Sequence, residues 1–218
     1  MERSLARSKV YNLLSLCLSY PDDEIYACRA DGKLFKEARK SLSLLADDHF
    51  DECFRAFEDV SCGREKATQL EMEREYARLF INAFSRIIPF HDSTGLKREE
   101  LVSGETTSDI LHFFREAGFA PNRGDMPGHI AHQFEFMAFL ANQESKASPG
   151  GRIRLEEIQL NFLSRFIIPW VSAYCEKVKH ESGLSFYCIL GDLTREFISF
   201  EINYLGIPEE KEQQGKLI

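Results

Sequence analysis

KATQLEMEREYARLFINAF, residues 66–84, decides the fold. Met72, Tyr76, Leu79, Phe80, Ala83 and Phe84 recur at three-and-four spacing, while Glu71, Glu73, Arg74, Glu75 and Arg78 fill the positions between them. That pattern predicts an amphipathic helix with its apolar face in a core and its charged face in solvent. The same periodicity returns on both sides. Residues 2–19 carry Leu5, Val10, Leu13, Leu14 and Cys17 on one stripe, ending at Tyr20-Pro21 because a residue before proline disfavours the α region. Shorter helices are expected over residues 33–45 and 47–60. Downstream, Ile110, Leu111, Phe113, Phe114 and Ala117 mark a helix from residue 107 that stops at Gly118. Residues 129–143 present Ile130, Phe134, Met137, Ala138 and Ala141, residues 155–179 predict a long helix interrupted near Pro169, and residues 184–205 a last one before a polar tail at 209–218. Strand signals are scarce and no repeat is visible. The expected fold is all-α, a single-domain bundle of about eight to ten helices over residues 1–218.

A chain of 218 residues, 44 % hydrophobic and 28 % charged, is large enough to fold on its own core. Its net charge of −8 repels a phosphate backbone and attracts a basic peptide, so nucleic acid is excluded as a partner. No apolar run approaches the roughly 20 residues that span a bilayer, so no stable membrane insertion is expected. The start, MERSLARSKV, places charges where a secretory signal needs apolar residues, and the expected location is cytoplasmic. Cys17, Cys28, Cys53, Cys62, Cys175 and Cys188 form no CxxC pair and read as buried thiols.

Periodicity fails from residue 85 to residue 104, where Pro89, Gly95 and Gly104 punctuate a connection of about 20 residues, long enough to carry function. Within it Phe90, His91 and Asp92 follow Pro89, a mixed aromatic and polar group that fits either gripping a partner or bonding locally within the loop. Ser148-Pro149-Gly150-Gly151 reads as a hinge or turn. The phosphate-loop, dinucleotide, nucleophile-elbow and HExxH signatures are all missing, so no catalytic residue and no cofactor is assigned. In GHIAHQFEF, residues 128–136, His129, His132 and Glu135 stand three apart along one helical edge. They admit three readings: a helix start at which His129 bonds backbone, a binding role for His129, or the ligands of a helical metal-dependent enzyme. A generic helical adaptor is a further alternative.

The order of five stretches carries a resemblance: EYARLF (75–80), IIPFHDS (87–93), GETTSDILHFFREAGF (104–119), MPGHIAHQFEFMAFL (126–140) and NFLSRFIIPWVSAYCEKV (161–178). Together they resemble the cytoplasmic chaperones that mature molybdenum-containing oxidoreductases, among them the dimethyl sulfoxide and trimethylamine oxide reductase chaperones and the nitrate reductase delta subunit. The resemblance implies an all-helical protein that is not an enzyme. Its partner would be the apo catalytic subunit of a molybdopterin oxidoreductase, bound often through an N-terminal twin-arginine leader peptide until the molybdopterin cofactor is inserted. The positions that would bind the client or its leader are Tyr76, Leu79, Phe80, Pro89, Phe90, His91 and His129. Gly128 stands where the family commonly has aspartate, leaving His129 without that carboxylate, and Arg165-Phe166 replaces the usual His-Leu. Both a monomer and a dimer swapped at the 148–151 hinge fit the pattern.

Overall fold

In a computed structural model, described over residues 2–30, 32–45, 50–63, 67–81, 103–120 and 127–208, helix α1 (Glu2–Cys17) runs through the centre and packs along α7 (Ile130–Lys146) and α3 (Lys33–Leu45). It buries Val10, Tyr11, Leu13, Leu14 and Cys17 completely, each Leu or Val contributing about 1.5–3 kcal/mol of apolar transfer energy. Leu5, expected on the same stripe, is instead 42 % exposed, and Ser4, Arg7 and Ser8 take buried positions.

Those polar residues pack because partners from distant helices meet them. The Arg7 guanidinium donates to Glu201 Oε1 (2.6 Å) and Oε2 (2.6 Å), to Glu144 Oε2 (2.9 Å) and to Gln159 Oε1 (2.8 Å). Ser4 donates to the other oxygen of Glu144, Gln159 to Glu144 Oε2, and Tyr11 to Glu201 Oε2. Burial opposes the arginine's charge, but Glu201, Tyr11 and Glu144 outweigh it and hold the guanidinium above its ordinary pKa. The network ties α1 to α7, to α8 (Pro149–Phe162) and to α10 (Ser185–Tyr204).

A second helix, α2 (Asp23–Ala30), is not among those the periodicity predicts. Asp22 starts it by accepting the Ile25 N–H at 2.8 Å, as an N-cap side chain does. Arg29 from its last turn is buried and donates to the carbonyls of Leu16, Cys17 and Ser19, at and just past the end of α1. Helix α4 (Asp51–Cys62) lies against α10.

The deciding stretch forms α5 (Gln69–Tyr76), opened by a capping box between Thr68 and Glu71, and continues as a π-helical turn over Ala77–Ile81. Ala83 and Phe84 lie outside the described residues, as does most of the 85–104 connection; α6 begins at Ser103 and runs to Glu116. Gly118 ends that helix at φ +73°, a left-handed conformation that glycine adopts without strain. The Phe119 N–H then reaches the Phe114 carbonyl at 2.8 Å while the two rings stack edge to face. Phe114, Phe136, Phe162 and Phe166 continue this contact as an aromatic core between α6, α7 and α8.

The expected hinge is a helix start. Ser148 occupies the N-cap of α8, and Pro149 sits in the first turn, where its missing N–H costs nothing. The interruption near Pro169 is a second π-helical turn, Leu163–Ile167, followed by α9 (Ile168–Glu181). There the Ile168 N–H reaches back five residues to the Leu163 carbonyl, and the Trp170 indole N–H donates to the Phe166 carbonyl. Helices α9 and α10 cross closely at Gly191: a Cβ there would stand 2.9 Å from the Cys175 carbonyl oxygen. No strand occurs among the described residues, and the fold is an all-α bundle around one continuous core. All six cysteines remain thiols, but only Cys17 and Cys175 are buried; Cys28 is exposed and the other three are intermediate, which corrects the expectation of six buried thiols.

Candidate functional site

His129 is the N-cap of α7, its Nδ1 accepting the Ala131 N–H at 3.1 Å. A ring nitrogen that accepts carries no proton, so the imidazole proton sits on Nε2. Nε2 lies 3.3 Å from the Tyr76 hydroxyl, which itself lies 3.3 Å from the Leu18 carbonyl. The donors therefore run in one direction, from His129 to Tyr76 to Leu18, and join the starts of α7 and of the π turn to the end of α1. Burial, reinforced by the nearby Tyr187 hydroxyl and opposed by Arg29, pushes the Tyr76 phenol well above its ordinary pKa, so it stays a neutral donor.

Tyr76 and His129 form one side of a cleft of about 730 Å³. His132 and Glu135, one turn along α7, continue that side; Asn12, Ser15 and Ser19 of α1 and its exit supply the facing hydroxyl and amide groups. Tyr20, 44 % exposed, stands at the rim with its ring edge-on to Tyr76 at 5.4 Å. Leu16, Asp22, Ile25 and Leu34 complete the lining. Gln69 Nε2 bridges Asp23 Oδ1 (2.7 Å) and Glu73 Oε1 (3.0 Å), tying the start of α2 to α5.

Of the residues named from the sequence, Tyr76 and His129 meet at this cleft. Leu79 and Phe80 do not line it: both are 0 % exposed, with Phe80 packed behind Tyr76 against Tyr174 and Tyr187. Their place is the core that backs the cleft, as their position on the apolar face of the stretch predicts. Pro89, Phe90 and His91 lie outside the described residues. A metal centre of His129, His132 and Glu135 does not form. Both ring nitrogens of His129 are engaged, His132 Nδ1 faces Glu135 Oε2 at 3.5 Å, and no group of three His, Cys, Asp or Glu among the described residues is placed to hold an ion. Residues the sequence did not single out, Asn12, Ser15, Ser19, Tyr20 and Asp22, make up the opposite wall. Their signal was Asn12, Ser15 and Ser19, polar residues at three-and-four spacing along α1 and its exit.

Among relatives, this chain is similar to a perchlorate reductase assembly chaperone protein of Dechloromonas aromatica, with 25 % identity over 223 residues that take in 93 % of this chain and 94 % of that protein. It is also similar to the chaperone protein TorD of Photobacterium profundum, with 26 % identity over 160 residues, 71 % of this chain and 72 % of that one. Residues 45–176, more than half of the chain and including Tyr76, His129, His132 and Glu135, match the model of the nitrate reductase delta subunit. The chain belongs to the nitrate reductase delta subunit family.

Proposed function

We propose that this chain is a maturation chaperone: it binds the apo catalytic subunit of a molybdopterin oxidoreductase in the cytoplasm, takes a segment of it, its N-terminal leader peptide, into the Tyr76–His129 cleft, and holds the subunit for cofactor insertion. The names of the relatives support the role, and their alignment over most of the chain supports carrying it across. The observation that carries the site is the cleft itself. At about 730 Å³ it accommodates a few side chains of an extended segment rather than a folded domain.

Its chemistry matches such a segment. Asn12, Ser15 and Ser19 can bond a peptide backbone, Tyr20, Ile25 and Leu34 offer apolar contact, and Asp22 and Glu135 face a basic side chain. A chain of net charge −8 speeds the encounter with a basic leader, and burial of the apolar part slows release. No bond is made or broken. A client that binds the chaperone only before it folds is withheld from export and proteolysis by mass action, and its own folding releases it. No helix among the described residues is long and apolar enough to cross a membrane.

The test is recovery of the partner. Tagged protein purified from its host under conditions that express the reductases should retain a molybdopterin oxidoreductase catalytic subunit, identified by mass spectrometry. A Tyr76→Phe/His129→Ala protein that folds normally should lose it. Recovery of the same subunit in equal amount by both would refute the site, and recovery of none by the parent would refute the role.

A further inference from the structure

Helix α5 with its π turn runs for only 13 residues, too few to be stable alone in water, so the direction of Tyr76 depends on what packs against and anchors it. Its first turn is tied to α2 through Gln69 and Asp23, with the Tyr26 hydroxyl donating to the Ala67 carbonyl just before it. Its last turn is tied to the connection between α9 and α10. There the Glu75 carboxylate accepts the Gly183 N–H at 2.6 Å and the Ser182 hydroxyl at 3.1 Å. Arg78, one turn on, makes two parallel bonds to the same carboxylate, both at 2.8 Å, and reaches across to the Glu181 carbonyl. Glu75 and Arg78 thus bridge the last carbonyl of α9 and the Ser182-Gly183 turn that leads into α10, while Tyr76 between them faces the cleft.

We infer that Glu75 is a positioning residue for the client site, fixing the orientation of Tyr76 by clasping α5 to the 181–183 turn. The inference rests on the cleft reading above. It makes the α9–α10 connection, which touches no part of the cleft lining, a determinant of client affinity. Bonds from charged donors to a partly buried carboxylate are among the stronger ones a protein makes, so losing the clasp frees α5 to rotate. Tyr76 would then lose its register with His129 Nε2.

The experiment measures two quantities on the parent, Glu75→Ala, Tyr76→Phe and the double variant. One is the affinity for the catalytic subunit recovered with the parent protein; the other is the ¹⁵N resonance pair of the His129 ring. Glu75→Ala should weaken binding about tenfold, the equivalent of one charge-assisted hydrogen bond, and shift the Nε2 resonance. Tyr76→Phe should weaken it similarly, with the double variant no weaker than either single one, since both remove the same contact. Glu75→Gln, which keeps an acceptor for Gly183 and Ser182 but not the charge that pairs Arg78, should recover part of the affinity. If Glu75→Ala does not fold, Arg78→Ala, which removes the charged pair with Glu75 and the bond to the Glu181 carbonyl but leaves the Gly183 and Ser182 bonds, carries the test with a smaller expected loss. Weakened Tyr76→Phe beside unchanged, folded Glu75→Ala would overturn this inference alone; so would additive losses in the double variant. Unchanged Tyr76→Phe would overturn the cleft assignment and this inference with it.

Discussion

Replacing Arg7 by methionine tests the interior of the bundle most sharply. The change keeps much of the side chain's volume but removes the donors of four hydrogen bonds, two to Glu201, one to Glu144 and one to Gln159. It also leaves two carboxylates, each at most 1 % exposed, without a cation between them. Breaking a buried ion pair by removing one partner costs about 3–5 kcal/mol, because the remaining charge has neither water nor a counter-ion. Against a total stability of roughly 5–15 kcal/mol that is a large fraction. For a chain of this length, with about 2–4 °C per kcal/mol, Tm should fall by roughly 6–20 °C in thermal melts followed by circular dichroism. A triple variant, Arg7→Met with Glu144→Leu and Glu201→Leu, removes the stranded charge as well and should melt above the single variant, although it carries more substitutions. A single variant within about 1 kcal/mol of the parent, or a triple variant less stable than the single one, would refute the assignment of Arg7 as the buried cation that binds α1 to α7 and α10.

Gly191→Ala should destabilise the protein by about 1–3 kcal/mol in urea titration, because its Cβ meets the Cys175 carbonyl oxygen at 2.9 Å and must push α9 from α10. Thiol titration at pH 7 should find Cys28 reacting first, with Cys17 and Cys175 reacting only on unfolding; burial pushes both of these thiols up to about 12. Arg78, Gly183 and Ser182 hold the Glu75 carboxyl below its ordinary value of 4.5, with burial opposing them. A depressed folded value means that the clasp contributes its stability above about that pH and loses it as acid protonates Glu75. The parent should therefore lose more stability than Glu75→Gln between pH 6 and the acid limb below about pH 4, as read from paired melts; parallel curves would contradict the clasp.

How far these features were legible differs from helix to helix. The apolar face of α5 and the stop at Gly118 follow directly from spacing and from glycine's backbone freedom. The interior of α1 was half hidden: Ser4, Arg7, Ser8 and Tyr11 share the buried stripe at helical spacing, but a reading by apolar periodicity treats a charged residue as exposed. Only Glu144, Gln159 and Glu201, at least 137 residues away, make Arg7 a core residue. Helix α2 lacks a strong apolar stripe, yet Asp22 before Asp23-Glu24 was a local start signal. At residues 148–151 the two glycines suggested a hinge, whereas Ser148 followed by Pro149 is the sequence of a helix start, and the latter governs. The candidate site divided similarly. Tyr76 and His129 stood in recognisable stretches, 53 residues apart, and only the fold shows that they meet. Leu79 and Phe80 belonged to the same stretch, and their burial is what the apolar spacing predicts; only the family resemblance had placed them at the client site. The wall from Asn12 to Asp22 came from a polar stripe whose importance appears only once α7 is folded against it.

The measurement that bears most directly on the central claim is site-specific photocrosslinking in the cell. A benzophenone amino acid is placed at Tyr20, on the rim of the cleft, or at Ile153, which is 60 % exposed on α8 and touches no part of it. Irradiation should link Tyr20-substituted protein to the leader segment of a molybdopterin oxidoreductase catalytic subunit, and the Ile153-substituted control should give no such adduct. Crosslinks to that segment from Ile153 but not from Tyr20 would contradict the assignment of the cleft as the client site.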